Sequence, residues 1–334
     1  MTGAPESVPG AKVVAVLGPT GTGKSAFAVR VALAFGGEVI SCDSMAVYRG
    51  LDIGTDKPSL RERRGVPHHL LDVAEPGSWF SAGEFRARAL EAVAAIRGRG
   101  RMPVVVGGTG LYARALFQGL VDAPPRQESI RARLRARLER RGAAGLHRLL
   151  RRLDPEAARR VPPRDTLRVI RALEVRLAGG RSLSSLIGAS PFGSRGLTCV
   201  LRICLTAPRP LLYNRIEARV DTMLARGLVE EVRGLLEEGR LAGPVAKAIG
   251  YGEVAAHLRG EISLSEAASR VKRRSRNLAK RQLTWFRKER DLNWYDIERE
   301  AWESHAMELI RRWWETPGCQ PGDQHPEPAP QLRP

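Results

Sequence analysis

The segment 18–25 combines three glycines, a lysine and a serine in the order GPTGTGKS, the pattern of a phosphate-binding P-loop. Glycines let the main chain curl until successive N–H groups point at phosphate oxygens. Lys24 offers a positive charge to a phosphate, and the hydroxyl of Ser25 offers a ligand to Mg²⁺. An apolar run at 13–17 precedes the segment and a helical pattern at 25–35 follows it, as a P-loop requires. These residues therefore predict a phosphate site.

A carboxylate and a hydroxyl in two other loops are candidates for chemistry beside that site. Hydrolytic P-loop enzymes usually place Asp or Glu after a second strand to hold Mg²⁺ and order water. Here the predicted strand 104–106 runs into the GGTG segment 107–110, whose polar side chain is Thr109. Asp43 instead follows the predicted strand 38–41. At this place a carboxylate is suited to act as a general base that accepts a proton from a nucleophile. Two plainer interpretations stay open, Asp43 as a turn or helix cap and 107–110 as a tight turn.

Positive charge is concentrated near the C-terminus. The chain carries 55 basic and 36 acidic residues, a formal net charge of +19, which favours a polyanionic partner such as nucleic acid. Only seven of the 55 are lysine, so an arginine-rich proteome is an alternative source of the charge. Segment 270–290 favours RNA as that partner, because it has ten basic residues and one acidic residue, interleaved with Trp285 and Phe286. A solvated basic helix is the alternative there.

Strand and helix patterns must position these loops, and they alternate through the first 119 residues. Strands are predicted at 13–17, 38–41 and 104–106, with helices at 25–35 and 80–97, which is typical of an α/β fold with a parallel sheet. From 126 to 161 the chain is arginine-rich and helical, with one apolar stripe of Ile130, Leu134 and Leu138. Another helix is predicted at 166–178 and a strand at 200–205. After residue 214 the pattern is mostly helical.

This pattern predicts an α/β core at 11–119 and 199–300 with C-terminal helices, interrupted by a helical insertion at 120–198. Residues 317–334 are rich in proline and polar residues and are predicted to be a disordered tail. No targeting segment and no membrane-spanning run is recognised. The four cysteines lack CxxC spacing, which argues against a zinc site or a disulfide framework and fits a cytoplasmic protein. His68 and His69 are interpreted as buried or turn residues.

Taken together, these segments resemble the bacterial tRNA dimethylallyltransferases, which are tRNA isopentenyltransferases. The resemblance covers about residues 13–290 in the family's order. It rests on GPTGTGKS (18–25), DSMAVYRGLDIGT (43–55), VPHHLLDV (66–73), FSAGEFR (80–86), VVVGGTGLY (104–112), DTLRVIRALEV (165–175), RIEARVDTML (215–224), AIGYGE (248–253) and KRQLTWFRK (280–288). The fold that it implies is a P-loop nucleoside-kinase-like parallel sheet core with an inserted helical domain.

The resemblance also implies an activity. A dimethylallyl group would pass from dimethylallyl diphosphate to N6 of adenosine 37 in tRNAs reading codons that start with U, with release of diphosphate. The enzyme would be a cytoplasmic monomer that uses Mg²⁺ on Ser25 and binds the tRNA anticodon stem-loop. Asp43 would accept the N6 proton, Thr109 would contact the tRNA substrate, and Lys24 would stabilise the leaving group.

The binding residues are carried over by motif. For the diphosphate, or a nucleotide, they are Gly18, Pro19, Thr20, Gly21, Thr22, Gly23, Lys24, Ser25, Arg215 and Arg219. For tRNA, the family motifs give Asp43, Ser44, Met45, Ala46, Thr109, Arg131, Leu167, Arg168, Val169, Ile170 and Arg171. The basic segment adds Lys272, Arg273, Arg274, Lys280 and Arg281.

Two positions depart from the family. Ala46 and Leu167 stand where glutamine is common, so base discrimination by an amide at these positions is lost. Two other functions would each explain part of this sequence. A small-molecule kinase would use the P-loop for ATP but has no use for the basic segment. An RNA-binding P-loop protein would explain the charge but leaves Asp43 and the GGTG segment without a role.

Overall fold

A six-stranded sheet lies at the centre of the larger unit in this computed structural model, which describes residues 10–189 and 196–316. All of its strand pairs are parallel, and the order across the sheet is β3-β2-β4-β1-β5-β6. The strands are β1 (Val13–Leu17), β2 (Gly37–Ser41), β3 (His68–His69), β4 (Met102–Gly107), β5 (Val200–Thr206) and β6 (Asn293–Asp296). Every residue of β1, β2 and β4 is buried, as expected for strands covered on both faces.

Helices cover both faces of this sheet, with one apolar cluster on each side. In the first half they are α1 (Lys24–Ala34), α2 (Leu60–Arg63), α3 (Ala82–Gly98) and α4 (Gly110–Gln118). Alternation of β-branched strands with capped amphipathic helices produces this arrangement; Ser81, for example, caps α3 by accepting from the N–H of Glu84. The α/β prediction is therefore confirmed.

The smaller unit is entirely helical in the part described, residues 118–189. It contains α5 (Glu128–Leu153), α6 (Pro155–Arg160), α7 (Thr166–Gly179) and α8 (Leu183–Ala189). Gly142 has φ 64° and interrupts α5, so this element consists of two helical segments. The predicted stripe is confirmed, because Ile130 and Leu134 are buried in the core of this unit and Leu138 packs against it.

The chain returns to the larger unit at residue 196. After β5 it forms α9 (Arg209–Ala225), α10 (Leu228–Glu237), a 3₁₀ turn (Val245–Lys247), α11 (Tyr251–Leu258), α12 (Leu264–Phe286) and, beyond β6, α13 (Trp302–Glu315). Among the described residues, no helix has the length and apolar character needed to cross a membrane.

Three local predictions are corrected. His68 and His69 form an edge strand rather than a turn, with His68 opposite Val39 and His69 opposite Ile40. The short strand β6 was missed within a segment predicted to be mostly helical, and α9 begins before residue 214. The tail predicted at 317–334 lies outside the described residues.

Candidate active site

A cleft of about 630 Å³ opens at the carboxyl ends of the strands in the larger unit. The loops after β1, β2 and β4 all line it. Helices α9 and α12 contribute Arg219, Arg281 and Gln282 among other residues. In parallel α/β sheets this edge is where ligands bind. The topology therefore brings segments from the whole length of the larger unit to one site.

The P-loop follows β1 directly and is closely packed against β5. Gly18 has φ 133°, and a Cβ at this position would lie 2.3 Å from the carbonyl oxygen of Leu205, so only glycine fits. The hydroxyl of Thr22 donates to the carbonyl of Pro19 at 2.9 Å and closes the curl of the loop. The first N–H groups of α1 have no partner within the helix, and together with its dipole they form an anion site.

Lys24 lies at the start of α1 and lines the cleft. Its ammonium donates to the carbonyl of Pro19 at 2.6 Å. Burial, followed by the positive charge of Arg219, lowers the pKa of Lys24 to about 8, although the nearby carboxylates of Asp43 and Asp56 oppose this shift. Because the ammonium of Lys24 and the guanidinium of Arg219 repel each other, an anion bound beside both would favour the charged form of Lys24.

Thr20 is held from two sides by residues far away in the sequence. Its hydroxyl accepts from Nη2 of Arg219 at 2.5 Å, while Nη1 of the same guanidinium donates to Asp56 at 3.0 Å. Its main-chain N–H donates to Oε1 of Gln282 at 2.9 Å. Arg219, taken from the family motif, therefore reaches the P-loop. Arg215, one turn earlier on α9, is exposed and does not line the cleft.

The loop that carries Asp56 is held by the half-buried carboxylate of Glu231 and the buried ammonium of Lys57. Glu231 accepts from the N–H groups of Asp52, Ile53 and Gly54 at 2.7–3.1 Å, and from the hydroxyl of Tyr251 at 2.7 Å. Lys57, whose side chain is 3% exposed, donates to Asp52 and Asp72. These contacts anchor the residues on both sides of Asp56, whose carboxylate accepts from the guanidinium of Arg219.

Asp43 and Thr109 lie on adjacent loops that line the cleft. One oxygen of Asp43, Oδ1, accepts from the N–H groups of Met45 and Ala46 at 2.8 and 3.2 Å. The hydroxyl of Thr109 accepts from the N–H of Ser44 at 3.1 Å. Asp43 therefore does cap a turn, as the plainer interpretation held, through Oδ1, and no hydrogen bond from the described residues engages its second carboxylate oxygen. Ala46 is 5% exposed at the edge of this group.

Helix α12 presents two kinds of cation. Lys272, Arg274 and Arg276 form ion pairs with Asp221, Glu253 and Glu217. Within the described parts of the chain, Arg273, Lys280 and Arg281 are exposed and have no acidic partner. Of the five tRNA candidates predicted on this helix, three are therefore free to meet a phosphate without first breaking a pair.

The residues of the helical unit that were predicted to bind tRNA differ in exposure. Leu167 and Arg168 are exposed at the start of α7, whereas Val169 and Ile170 are buried in its core. The side chains of Val169 and Ile170 therefore pack internally, and a contact of these two residues with RNA stays a prediction. Arg131 and Arg171 both donate to Glu174, which is fully buried.

Glu174 explains why these arginines are ordered. Burial alone would raise the pKa of Glu174, but hydrogen bonds from Arg131, Arg171 and the main chain of Gln127 outweigh it and lower the pKa to about 2. Arg131 makes two of these bonds, at 2.8 and 2.9 Å. Its guanidinium is thus a structural group of the helical unit before any contact with RNA.

Several site residues escaped the sequence argument. Gln282, Asp56 and Glu231 have no local pattern that distinguishes them, since their roles depend on partners more than a hundred residues away. The Gln in KRQLTWFRK and the Asp in DSMAVYRGLDIGTD lie within or next to the motifs quoted above, and that position was the available signal.

A glycine-rich loop after a central strand of a parallel sheet, with a cleft beside it and exposed cations on α12, defines an α/β protein with a P-loop-like fold. Residues 46–289 match the family model described as IPP transferase. The chain belongs to the IPP transferase family, as the motifs indicated.

Two relatives are similar in sequence to most of this chain. The tRNA dimethylallyltransferase of Thermomicrobium roseum is 48% identical over 303 residues, which cover 90% of this chain and 91% of that protein. The protein of the same name from Geobacter metallireducens is 49% identical, covering 85% of this chain and 92% of its own.

Solved structures have a similar fold. The tRNA isopentenylpyrophosphate transferase of Bacillus halodurans superposes with a TM-score of 0.67 at 39% identity, covering 91% of this chain and 97% of that one. A eukaryotic dimethylallyltransferase acting on tRNA superposes with a TM-score of 0.75 at 31% identity, covering 85% of this chain and 73% of that one.

Proposed function

We propose that this protein transfers a dimethylallyl group from dimethylallyl diphosphate to N6 of adenosine 37 in tRNAs that read codons starting with U. The observation that carries the proposal is the joining of two unlike sites in one cleft. A P-loop suited to a diphosphate lies beside a carboxylate that is suited to a base, in a protein with exposed cations for RNA. The names of the relatives support dimethylallyl as the transferred group and tRNA as the acceptor.

The donor would lie with its diphosphate on the P-loop. Negative charge grows on the diphosphate as the C–O bond breaks, and the N–H groups of residues 21–25, Lys24 and Arg219 are already in place to stabilise it. Loss of one such preorganised donor typically costs about 10²–10³ in rate.

The acceptor needs a base but not a strong one. The N6 lone pair of adenine is delocalised into the ring, so its proton becomes acidic only as the new C–N bond forms. The free oxygen of Asp43 can then accept that proton, and Thr109 beside it can orient the amino group. The adenine must leave its stack to reach this point, which is easier in a loop than in a duplex.

Mg²⁺ fits this donor set. Ser25 is the second residue of α1 and lines the cleft, and a hydroxyl with phosphate oxygens and water is the kind of ligand set that Mg²⁺ accepts. When bound, the ion would neutralise charge on the departing diphosphate. The described residues hold no group of three His, Cys, Asp or Glu that would form a separate metal centre.

The direct test is to incubate the protein with Mg²⁺, labelled dimethylallyl diphosphate and a tRNA that contains A36-A37-A38. Label is expected in the RNA at residue 37, with one diphosphate released per group transferred. A matched tRNA with G at position 37 should stay unlabelled. Absence of label from the A37 substrate would overturn the proposal, and diphosphate release without RNA would indicate a hydrolase.

A further inference from the structure

The side chain of Gln282 connects the two halves of the cleft. Its Oε1 accepts from the main-chain N–H of Thr20 at 2.9 Å, and its Nε2 donates to the carbonyl of Gly108 at 3.1 Å. Thr20 belongs to the P-loop, and Gly108 precedes Thr109 on the loop after β4. One amide therefore bridges the loop proposed for the donor and the loop proposed for the acceptor.

The bridge requires an amide, because one of its atoms must accept a hydrogen bond and the other must donate one. Glutamine supplies an acceptor and a donor on one planar group, whereas glutamate can only accept when ionised and asparagine is one methylene shorter. The contact is also close on the other side, because a Cβ at position 108 would lie 2.3 Å from Nε2 of Gln282. The absence of a side chain at Gly108 is what allows the amide to reach its carbonyl.

Gln282 also joins these loops to the basic helix. It follows Lys280 and Arg281, two of the exposed cations on α12, and three residues later Trp285 packs against Gly110. The helix thus touches the GGTG loop at two points and the P-loop at one. A shift of α12 would move Thr20 and Gly108 together, because the same side chain holds both.

We infer that Gln282 is a positioning residue that sets the donor loop in register with the acceptor loop, and that it transmits the placement of RNA on α12 to both. This inference rests on the proposed function and assigns to Gln282 the alignment of the donor loop with the acceptor loop. Gln282 would not touch the reacting atoms. Its effect is on alignment, and misplacement of reactants by about 1 Å typically costs about 10²-fold in rate.

The test compares Gln282→Met, which keeps length and loses both hydrogen bonds, with Thr284→Val on the same helix. Thr284 is exposed and bonds only to the carbonyl of Lys280 among the described residues, so its variant is the matched control. Gly108→Ala, which pushes on the amide from the other side, is a second and independent variant.

A positioning role predicts a split between kinetic constants. In Gln282→Met, kcat should fall about 10- to 100-fold, while the KM for tRNA and the melting temperature stay close to those of Thr284→Val. Gly108→Ala should give the same split. An unchanged kcat in Gln282→Met would overturn the inference. A parallel loss of tRNA binding and thermal stability would also overturn it, because Gln282 would then be a general structural residue.

Binding of inorganic diphosphate, measured by calorimetry on the full chain, provides a readout that does not depend on transfer. Loss of the hydrogen bond to Thr20 should weaken it about two- to tenfold in Gln282→Met and leave it unchanged in Thr284→Val. If the wild-type protein labelled no RNA, the proposed function would fail, and this measurement alone would decide whether Gln282 shapes the P-loop. Equal affinities in both variants would reject the inference.

Discussion

The hydroxyl of Thr109 accepts a hydrogen bond from the main-chain N–H of Ser44 at 3.1 Å. This bond ties the loop after β4 to the loop after β2, at the residue that directly follows Asp43. Since Thr109 also lies 3.5 Å from the hydroxyl of Ser44, the three polar side chains form one group facing the cleft. Their geometry is fixed by the main chain and does not depend on a bound ligand.

Asp43→Asn should separate the structural role of this residue from its chemical one. Asparagine keeps an oxygen for the N–H groups of Met45 and Ala46 but cannot accept a proton. We expect the transfer rate to fall by about 10²–10⁴, the usual contribution of a general base. Binding of tRNA, followed by filter retention, and the melting temperature should be near normal. Collapse of tRNA binding together with activity would show that Asp43 is structural.

Diphosphate binding should weaken at alkaline pH. Because burial and Arg219 lower the pKa of Lys24 to about 8, the ammonium is charged below that pH and neutral above it. A bound anion favours the charged form, so binding takes up a proton and the affinity falls as pH rises from about 8, by at most about tenfold per pH unit.

Calorimetry of inorganic diphosphate between pH 7 and 10 checks this for the wild type and for Lys24→Met. The ligand's own titration affects both proteins equally, so the difference between the two profiles reports Lys24. Parallel profiles would rule out a role for its titration.

Exposed and ion-paired cations on α12 should differ in their effect on tRNA binding. Replacing Arg273 and Lys280 by alanine removes two charges without an acidic partner among the described residues. Each lost phosphate contact reduces the slope of log affinity against log salt by about 0.7–0.9, so a change of about 1.5 is expected.

The control is the double replacement of Lys272 and Arg276, whose charges are engaged by Asp221 and Glu217. Its slope should change by less than half as much, since those contacts must first be broken. An equal slope in both doubles, measured by salt titration of tRNA binding, would place the RNA surface elsewhere.

Arg131→Ala should destabilise the helical unit. Glu174 is fully buried, and removal of one partner of a buried charge costs about 3 kcal/mol or more. Arg135→Ala on the same helix is the control, because its pair with Glu128 is exposed and such pairs contribute little to stability. Thermal melting by circular dichroism compares the two. Equal melting temperatures would show that Glu174 does not need Arg131.

The same carboxylate predicts an acid limit. The pKa of Glu174 is lowered to about 2 from 4.5, so its stabilising contribution is complete above pH 4.5 and is lost as pH falls towards 2. Glu174→Gln should melt at a lower temperature at pH 7, and its deficit should shrink as the pH is lowered through this range. A deficit that is constant with pH would contradict the assignment.

How far the sequence predicts this site depends on how local each feature is. The P-loop and β1 were placed correctly because glycine spacing and an apolar run are properties of adjacent residues. The 3.6-residue period of α7 indicates that Val169 and Ile170 are buried. The family motif gives the same two residues as tRNA contacts, so the two signals differ at these positions.

The bridges across the cleft were not readable. Gln282 lies on an amphipathic helix among arginines, and nothing near it in sequence indicates that its amide meets Thr20, 262 residues earlier. Strand β6 has only four residues and is recognisable mainly by its pairing with β5. Contacts of this kind are set by packing of the whole unit and have no local signature.

The position of β1 between β4 and β5 has a consequence for synthesis of the chain. A nascent polypeptide that ends before β5 already contains the P-loop, but β1 is then an edge strand with unpaired main-chain groups. The residues that hold Thr20 emerge 199 and 262 positions after it. Both side-chain contacts to Thr20 are therefore present only after residue 282 has been synthesised, and shorter products lack at least one of them even though they carry the whole motif.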